Sequence, residues 1–321
     1  MAQPAIAGNA AVTAANALEA LRQYSTIVAD SGDFTAIRQF RPTDATTNPS
    51  LVLKAVQDPA YAALQQQLHA LPTMPGLNEV DQLMLLFGRE LSAVVSQRVS
   101  TEVDAALSFD SAATIAKARA LIAGYAALGV PAERILIKIA ATWEGIRAAQ
   151  VLEAEGIRCN MTLIFALCQA QACFDAGATL VSPFVGRITD WYKQAWGVPE
   201  LAVQEDPGVL GVRRISAYAR AHGYPTQIMA ASFRHSGQIL ALAGVDLLTI
   251  APALLGELAT MAAADVTAPQ VDDESPAPRA TLDQARFAWA MCENAMAGDR
   301  LADGIRRFAK DQAELAAILQ A

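Results

Sequence analysis

Lys138 lies in the run Arg134–Ala140, whose apolar and β-branched residues predict a buried strand. The chain has five lysines against nineteen arginines, so lysine is not its usual surface cation. An ammonium group enclosed by apolar neighbours costs on the order of several kcal/mol without a partner. Burial favours the free amine, which attacks carbonyl carbon. The pattern indicates amine catalysis, although a lysine paired with a buried carboxylate, or one reaching solvent at the strand end, would also explain it.

Polar residues recur where the predicted strands end. They comprise one amine, two carboxylates, amides and hydroxyls, namely Asp30, Asn48, Glu102, Lys138, Asn160, Thr162, Ser182 and Ser232. This set suits imine chemistry, because an amine can attack a ketone while an acid–base pair moves protons and expels water. The resulting iminium is an electron sink for cleavage of a carbon–carbon bond.

Each of these residues also has a structural explanation. Asp30 would cap the following turn, and Glu102 would be only the counter-ion of the lysine. Asn48 would cap a helix, while Thr162 and Asn160 would do no more than satisfy strand backbone. Their joint occurrence on successive strands is what these explanations leave unaccounted for.

Arg187 and Arg234 follow the predicted sixth and seventh strands. Two guanidinium groups at neighbouring strand ends would bind a phosphate group from two sides. With nineteen arginines in the chain, either one alone is also explained as a surface residue.

The composition restricts the class of protein. The chain has 321 residues, of which 53% are hydrophobic and 17% charged, so it can form a large core. Its net charge of −8 argues against nucleic acid or anionic membranes as partners. Four cysteines without a CxxC pair favour a reduced, cytoplasmic compartment. No apolar run is long enough to span a bilayer.

Eight short strand patterns alternate with helical patterns along the chain. The predicted strands are Ser25–Asp30, Asp44–Thr47, Val99–Asp104, Ile135–Ala140, Cys159–Phe165, Thr179–Val185, Gln227–Ser232 and Asp246–Ile250. Strict alternation predicts a parallel sheet, and eight repeats favour an α/β fold of the (β/α)8 TIM-barrel type. An open doubly wound sheet is the alternative, but the Gly-rich phosphate loop typical of it is missing after the first strand.

The remaining segments are assigned around this barrel. We expect a flexible leader over residues 1–17 and one barrel domain over residues 18–321, including two appended C-terminal helices, Leu282–Ala295 and Asp299–Leu319. The Pro-rich stretch Asp265–Leu282 is predicted to be a surface connection. Thr189–Gly208 is predicted to be a long excursion that shapes the active site.

Several blocks of the sequence resemble the transaldolase family of bacterial and eukaryotic type, from about Leu18 to the C-terminus. The most specific blocks are the Thr-Thr-Asn-Pro-Ser-Leu run at 46–51 and the Lys-Ile-Ala-Ala-Thr-Trp-Glu-Gly run at 138–145. Further matching runs lie at 28–33, 99–104, 159–163, 182–188, 190–192, 205–208, 231–234 and 248–252.

The resemblance implies a (β/α)8 barrel that needs no metal or organic cofactor. It implies transfer of a dihydroxyacetone unit from sedoheptulose 7-phosphate or fructose 6-phosphate to an aldose phosphate (glyceraldehyde 3-phosphate or erythrose 4-phosphate), in the non-oxidative pentose phosphate pathway. The partners implied are small phosphorylated sugars and, by likeness to the bacterial members, a second copy of the chain.

The resemblance also implies a role for each residue at a matching position. Lys138 forms the Schiff base, Asp30 takes the proton from the substrate hydroxyl, and Glu102 assists dehydration with a water held by Thr162. The dihydroxyacetone hydroxyls are held by Asn48, Asn160 and Ser182, and the phosphate is held by Arg187, Ser232 and Arg234. Phe184 lines the same site.

The chain departs from the family pattern in places. The leader is longer, His235 stands where an Asn is expected, and the Asp265–Leu282 segment matches poorly. Related small aldolases that release free dihydroxyacetone carry Gln and Tyr at the positions of Glu102 and Phe184, which favours transfer here. A class I aldolase and a non-catalytic sugar-phosphate-binding barrel are the alternative functions.

Overall fold

Eight parallel strands close into a barrel in chain order in this computed structural model, which describes residues 14–267 and 277–320. Each strand pairs with its sequence neighbours, and the first pairs with the eighth. The strands are β1 Thr26–Asp30, β2 Asp44–Thr46, β3 Val99–Glu102, β4 Ile135–Ala140, β5 Cys159–Ile164, β6 Leu180–Pro183, β7 Gln227–Ala230 and β8 Leu247–Ile250. The predicted (β/α)8 barrel is confirmed, and all eight predicted strands are present, most of them trimmed at the ends.

Helices surround the barrel on the outside. Within the described residues they are α1 Ala17–Leu21, α2 Phe34–Arg38, α3 Pro49–Val56, α4 Ala62–Ala70, α5 Glu79–Val94, α6 Ser111–Ala127, α7 Trp143–Ala154, α8 Leu167–Asp175, α9 Val185–Trp196, α10 Pro207–Ala221, α11 Ser236–Leu240, α12 Pro252–Thr260, α13 Gln284–Glu293 and α14 Ala295–Leu319. None of these helices is both long enough and apolar enough to cross a membrane.

The two faces of β4 have different neighbours, as the alternation of its residues predicts. Leu136 is fully buried in a small cluster with residues of β1, β6, β7 and β8, which meet only inside the barrel. Ile135, Ile137 and Ile139 belong instead to the large cluster that the strands share with the helices. Lys138 lies two residues beyond Leu136 and so points into the barrel at its C-terminal end.

The predicted excursion over Thr189–Gly208 is wrong in its first half. Residues up to Trp196 are part of α9, which begins directly after β6 and ends at Gly197 in the left-handed conformation (φ 66°). Val185, Ile188 and Thr189 are buried at helical spacing, which was the signal for a helix. The cluster of aromatic residues at 191–196 lies on a helix and not in a long loop.

Two predicted segments fall partly outside the described residues. Of the leader over residues 1–17, residues 1–13 are not described, and α1 begins at Ala17, which is buried. Of the connection Asp265–Leu282, residues 268–276 are not described. Its described end, residues 277–282, is largely exposed, and Ala277 accepts a hydrogen bond from His222 at 2.9 Å.

Helix α14 crosses the C-terminal mouth of the barrel. Gly304 packs on Leu163 of β5, Phe308 lies over the amine of Lys138 in β4, and Asp311 accepts a hydrogen bond from Ser50 of α3. Leu163 has φ 56°, an uncommon value for a branched residue, at a register shift between β5 and β6. The helix predicted as an appendage is therefore part of the wall of the mouth.

The close approach at Gly304 yields a prediction about stability. A methyl group there would lie 2.7 Å from Leu163 Cδ2 and 3.3 Å from Arg187 Nη1. The gain in helix propensity is about 1 kcal/mol, and overpacking costs about 1–3 kcal/mol. We expect Gly304→Ala to lower the urea midpoint of unfolding. Gly211→Ala in α10 is the matched control, because its methyl would meet only Ile188 Cδ1 at 3.9 Å and should raise the midpoint. Equal stabilisation by both would contradict this packing.

Candidate active site

A cavity of about 190 Å³ opens at the C-terminal end of the strands. Nine of the eleven predicted site residues line it, namely Asp30, Asn48, Lys138, Thr162, Ser182, Phe184, Arg187, Ser232 and Arg234. Glu102 and Asn160 lie behind this lining, and both are buried. The sequence-predicted residues are thus brought together at one mouth.

Lys138 is paired with Glu102 through the register of the sheet. The two residues are direct partners across β3 and β4, and Lys138 Nζ lies 3.0 Å from Glu102 Oε2. Both side chains are at most 5% exposed. Burial raises the pKa of Glu102, while the nearby charge of Lys138 lowers it. Glu102 is therefore a counter-ion of Lys138, and its carboxylate also lies within hydrogen-bond reach of the amine.

Asp30 lies at the end of β1, partly open to the cavity. Its Oδ1 accepts a hydrogen bond of 3.0 Å from Thr46 Oγ1. The following helix α2 is capped by Asp33, so capping does not account for Asp30. Burial raises the pKa of Asp30, and Lys138 and the Thr46 hydrogen bond act in the opposite direction. The carboxyl group thus lies in the cavity within electrostatic reach of the Lys138 amine.

The hydroxyl and amide groups of β5 and β6 divide into two sets. Thr162 Oγ1 is buried against the cavity and has no hydrogen-bond partner among the described residues. Ser182 donates to Asn160 at 2.7 Å, and Asn160 donates to Ser100 at 3.0 Å. Asn160 therefore supports Ser182 from behind the lining, in addition to any contact of its own with a ligand.

Asn48 serves as a helix cap and also lines the cavity. Its Oδ1 accepts a hydrogen bond of 3.0 Å from the backbone N–H of Leu51, which satisfies the first turn of α3. An Asn amide has two further donors on its nitrogen. Capping therefore fixes the side chain of a residue that also lines the cavity, and leaves its amide nitrogen free of the cap.

Arg187 forms one side of a positively charged end of the cavity. Its guanidinium lies 5.1 Å from the ring centroid of Phe184 and 5.5 Å from that of Phe308, distances typical of cation–π contacts. Burial lowers the pKa of Arg187, followed by the nearby charges of Arg307 and Arg234. Arg187 is thus disfavoured by two neighbouring guanidinium groups, of which Arg307 is paired with Asp303 at 2.9 Å, and an anionic ligand would offset this repulsion.

Arg234 completes this end from the loop after β7. Its Nε and Nη2 donate to Asp190 Oδ2 of α9 at 3.0 and 2.8 Å. The side chain lies against Gly186, where a Cβ would also collide with the carbonyl of Ser232. Ser232 has φ 64°, an uncommon value outside glycine. The two arginines therefore meet at adjacent strand ends, as predicted, with Arg234 partly neutralised by Asp190.

Some cavity residues were not among those assigned to the site from the sequence, although Thr46 belongs to the polar end of the second predicted strand. They are Thr46, Met229, Ala231, Phe233, Thr249, Ala251 and Phe308. Phe308 was missed because the periodicity of α14 predicts a helix but not the surface that it covers. His235, the residue that departs from the family pattern, is exposed at the start of α11 and does not line the cavity.

These features define the class of protein. An enclosed amine, a carboxylate at 3.0 Å and a second carboxylate in the same cavity are the groups by which a barrel enzyme of the imine-forming class reacts with carbonyl compounds. The family described as Transaldolase/Fructose-6-phosphate aldolase matches residues 27–319, and the chain belongs to this family.

Two curated relatives are similar over nearly their whole length. A transaldolase of Methylibium petroleiphilum is 52% identical over 311 residues, and one of Alteromonas mediterranea is 50% identical over 312 residues. Each alignment covers 95% of this chain and 98% of the relative. The predicted family and the prediction of an enzyme of this class are confirmed.

The raised pKa of Asp30 leads to a prediction about stability and pH. A carboxyl group whose pKa is raised by folding keeps its proton in the folded state where the unfolded chain has already released it. Its contribution to stability therefore falls as pH rises from about 4, the unfolded value, through the folded pKa. We expect Asp30→Asn to unfold at a higher temperature than the wild type at pH 8, with the difference vanishing near pH 4.

The measurement is thermal unfolding across this pH range, with Glu133→Gln as the control for loss of an exposed acid. A variant that is less stable than the wild type at pH 8 would mean that the Asp30 carboxylate stabilises Lys138 by more than its own burial costs.

Proposed function

We propose that this chain transfers a dihydroxyacetone unit between phosphorylated sugars through a Schiff base on Lys138. The observation that carries the proposal is the set of groups in one cavity. The Lys138 amine and the Asp30 carboxylate line it with the guanidinium groups of Arg187 and Arg234, and Glu102 lies behind the amine. A ketose phosphate has a group for each of these, with a carbonyl near one terminus for the amine and a phosphate at the other for the guanidinium groups. The family and its curated relatives support this substrate class.

The first half of the proposed reaction builds an iminium. The Lys138 amine attacks the C2 carbonyl of fructose 6-phosphate or sedoheptulose 7-phosphate and gives a carbinolamine. Glu102 lies 3.0 Å from the amine and is placed to move protons as water leaves. Thr162, whose hydroxyl has no partner among the described residues, would hold the water that carries them.

The second half breaks and remakes a carbon–carbon bond. Asp30 takes the proton of the C4 hydroxyl as the C3–C4 bond breaks, and the electron pair moves into the iminium to give an enamine. The aldose phosphate leaves, and the three-carbon enamine stays on Lys138 until an acceptor aldehyde arrives and the steps run in reverse. Ser182, Asn48 and Asn160 would hold the hydroxyl groups of this unit.

Transfer requires that the enamine is not quenched before the acceptor binds. The ring centroid of Phe308 lies 5.7 Å from Lys138 Nζ. Phe184 lines the same cavity. These apolar rings restrict water at the amine. Glu102 and Phe184 also stand where small aldolases of related type carry Gln and Tyr, which favours transfer over release of free dihydroxyacetone.

The predicted homodimer and cytoplasmic location are retained as proposals. The dimer rests on likeness to bacterial relatives. The compartment is supported by the four cysteines, none of which forms a disulfide.

Borohydride trapping tests the central proposal. With fructose 6-phosphate, we expect a covalent three- or six-carbon adduct at Lys138 in the wild type and none in Lys138→Arg, because a guanidinium cannot form the imine. Lys193→Arg, a change on the outside of the barrel in α9, is the matched control and should trap normally. An adduct in Lys138→Arg would contradict the assignment of the Schiff base to Lys138. The absence of an adduct in the wild type would favour a non-catalytic barrel that only binds sugar phosphates.

The same preparation separates transferase from aldolase. We expect turnover of fructose 6-phosphate to depend on erythrose 4-phosphate, with free dihydroxyacetone formed at least about tenfold more slowly. Equal turnover without the acceptor would make the aldolase the correct function.

Arg234 provides a test of phosphate recognition. Loss of one charge-assisted contact costs about 1.5–3 kcal/mol, so Arg234→Ala should raise KM for phosphorylated donors roughly ten- to a hundredfold. Turnover of unphosphorylated fructose or dihydroxyacetone, which never makes this contact, should barely change. Arg220→Ala, on the exposed end of α10, serves as the control for charge. Equal losses with both kinds of donor would assign Arg234 a structural role.

A further inference from the structure

Two buried threonine hydroxyls lead to the carboxylate of Asp30. β1 lies between β2 and β8, and each of these neighbours contributes one threonine. Thr46 Oγ1 donates to Asp30 Oδ1 at 3.0 Å and lies 3.1 Å from Thr249 Oγ1. Both threonines are 3% exposed, and both line the cavity. The mechanism above assigns neither of them a task.

The number of protons on each group determines which group donates in the two hydrogen bonds that join Thr249, Thr46 and Asp30. An ionised carboxylate only accepts, and a hydroxyl group has a single proton to give. Because the Thr46 proton goes to Asp30, the contact between the two threonines requires Thr249 to donate to Thr46. If Asp30 were protonated on Oδ1 and donated to Thr46, the Thr46 proton would be free to go to Thr249, whose own proton would then need another acceptor. Within the described residues, the Thr249 hydroxyl has Thr46 as its hydrogen-bond partner.

We propose that Thr46 and Thr249 are positioning residues that orient the Asp30 carboxylate and keep it in the ionised form that accepts the substrate proton. The inference rests on the proposed role of Asp30 as the base. Thr46 acts by direct contact, and Thr249 acts only through Thr46.

The balance of charge around Asp30 explains why such support is needed. Burial raises the pKa of Asp30, whereas Lys138 of β4, the Thr46 hydrogen bond and Arg187 of α9 lower it. Glu102 of β3 is a further charge near Asp30, of the same sign. A base must be ionised at the working pH, so removing the Thr46 donor should displace the acidic limb of the pH–rate profile to higher pH.

Removing the Thr249 hydroxyl should displace the acidic limb in the same direction, but by less. Without its proton, Thr46 still donates to Asp30, but it loses the donor that polarises and orients its hydroxyl. Once Thr46 is replaced, Thr249 has no route to the carboxylate, so its removal should add nothing. This dependence distinguishes two threonines that act in series on Asp30 from two threonines that act independently.

The test is the pH dependence of kcat/KM with fructose 6-phosphate as donor at saturating erythrose 4-phosphate. We expect Thr46→Val to lower kcat/KM about tenfold on the acidic side and much less on the alkaline plateau, since the lost hydrogen bond favours the charged form of the carboxyl group. Thr249→Val should move the limb less, the double variant should match Thr46→Val, and Thr46→Ser should restore the wild-type limb.

The controls separate failure of this inference from failure of the proposed function. Asp30→Asn should still give the trapped Lys138 adduct and should lose turnover; undiminished turnover would remove Asp30 as the base. If Asp30→Asn behaves as expected but the limb stays in place in Thr46→Val and in Thr249→Val, with both variants unfolding at the wild-type temperature, the threonines serve packing alone. Additive displacements of the acidic limb in the double variant would also contradict the proposal that Thr249 acts only through Thr46.

Discussion

The rest of the site depends on the ion pair between Lys138 and Glu102 inside the barrel. A buried cation is tolerated only with a partner, and β3 supplies one at 3.0 Å because Glu102 and Lys138 are in register. Beneath the pair lies the apolar layer of Leu136 and its neighbours from four other strands. The Lys138–Glu102 pair thus lies above an apolar layer, at the C-terminal mouth of the barrel where a substrate can reach it.

Several features of the site serve two purposes at once. Asn48 caps α3 and also lines the cavity. Asn160 lies behind the lining and accepts a hydrogen bond from Ser182, which holds that side chain in place. Arg187 carries charge and packs between two aromatic rings. A structural explanation for a residue is therefore not an argument against a functional one in this barrel, because the hydrogen bonds that support the fold also position side chains of the cavity.

The sequence was sufficient for the barrel, because period-two strands and helix punctuation are local signals. It was also sufficient for most of the cavity, because parallel strands bring their C-terminal ends to one mouth. Thr249 and Phe308 could not be found in this way. In the sequence, Thr249 is an ordinary β-forming residue. Its proximity to Thr46 and Asp30 depends on the closure of β8 on β1. Phe308 depends on the path of α14, and helical periodicity does not specify the surface against which a helix packs.

The path of α14 has a consequence for how the enzyme matures during synthesis. All eight strands and Lys138 precede α14 in the chain, so the ribosome releases the whole barrel before it releases Phe308. A barrel that folded before α14 docked would have its amine uncovered, open to water and to cellular aldehydes. Covering the amine would then require Gly304 to pack on Leu163 and Asp311 to accept the hydrogen bond from Ser50. The cover over the reactive amine is thus the last secondary-structure element of the described chain to be synthesised.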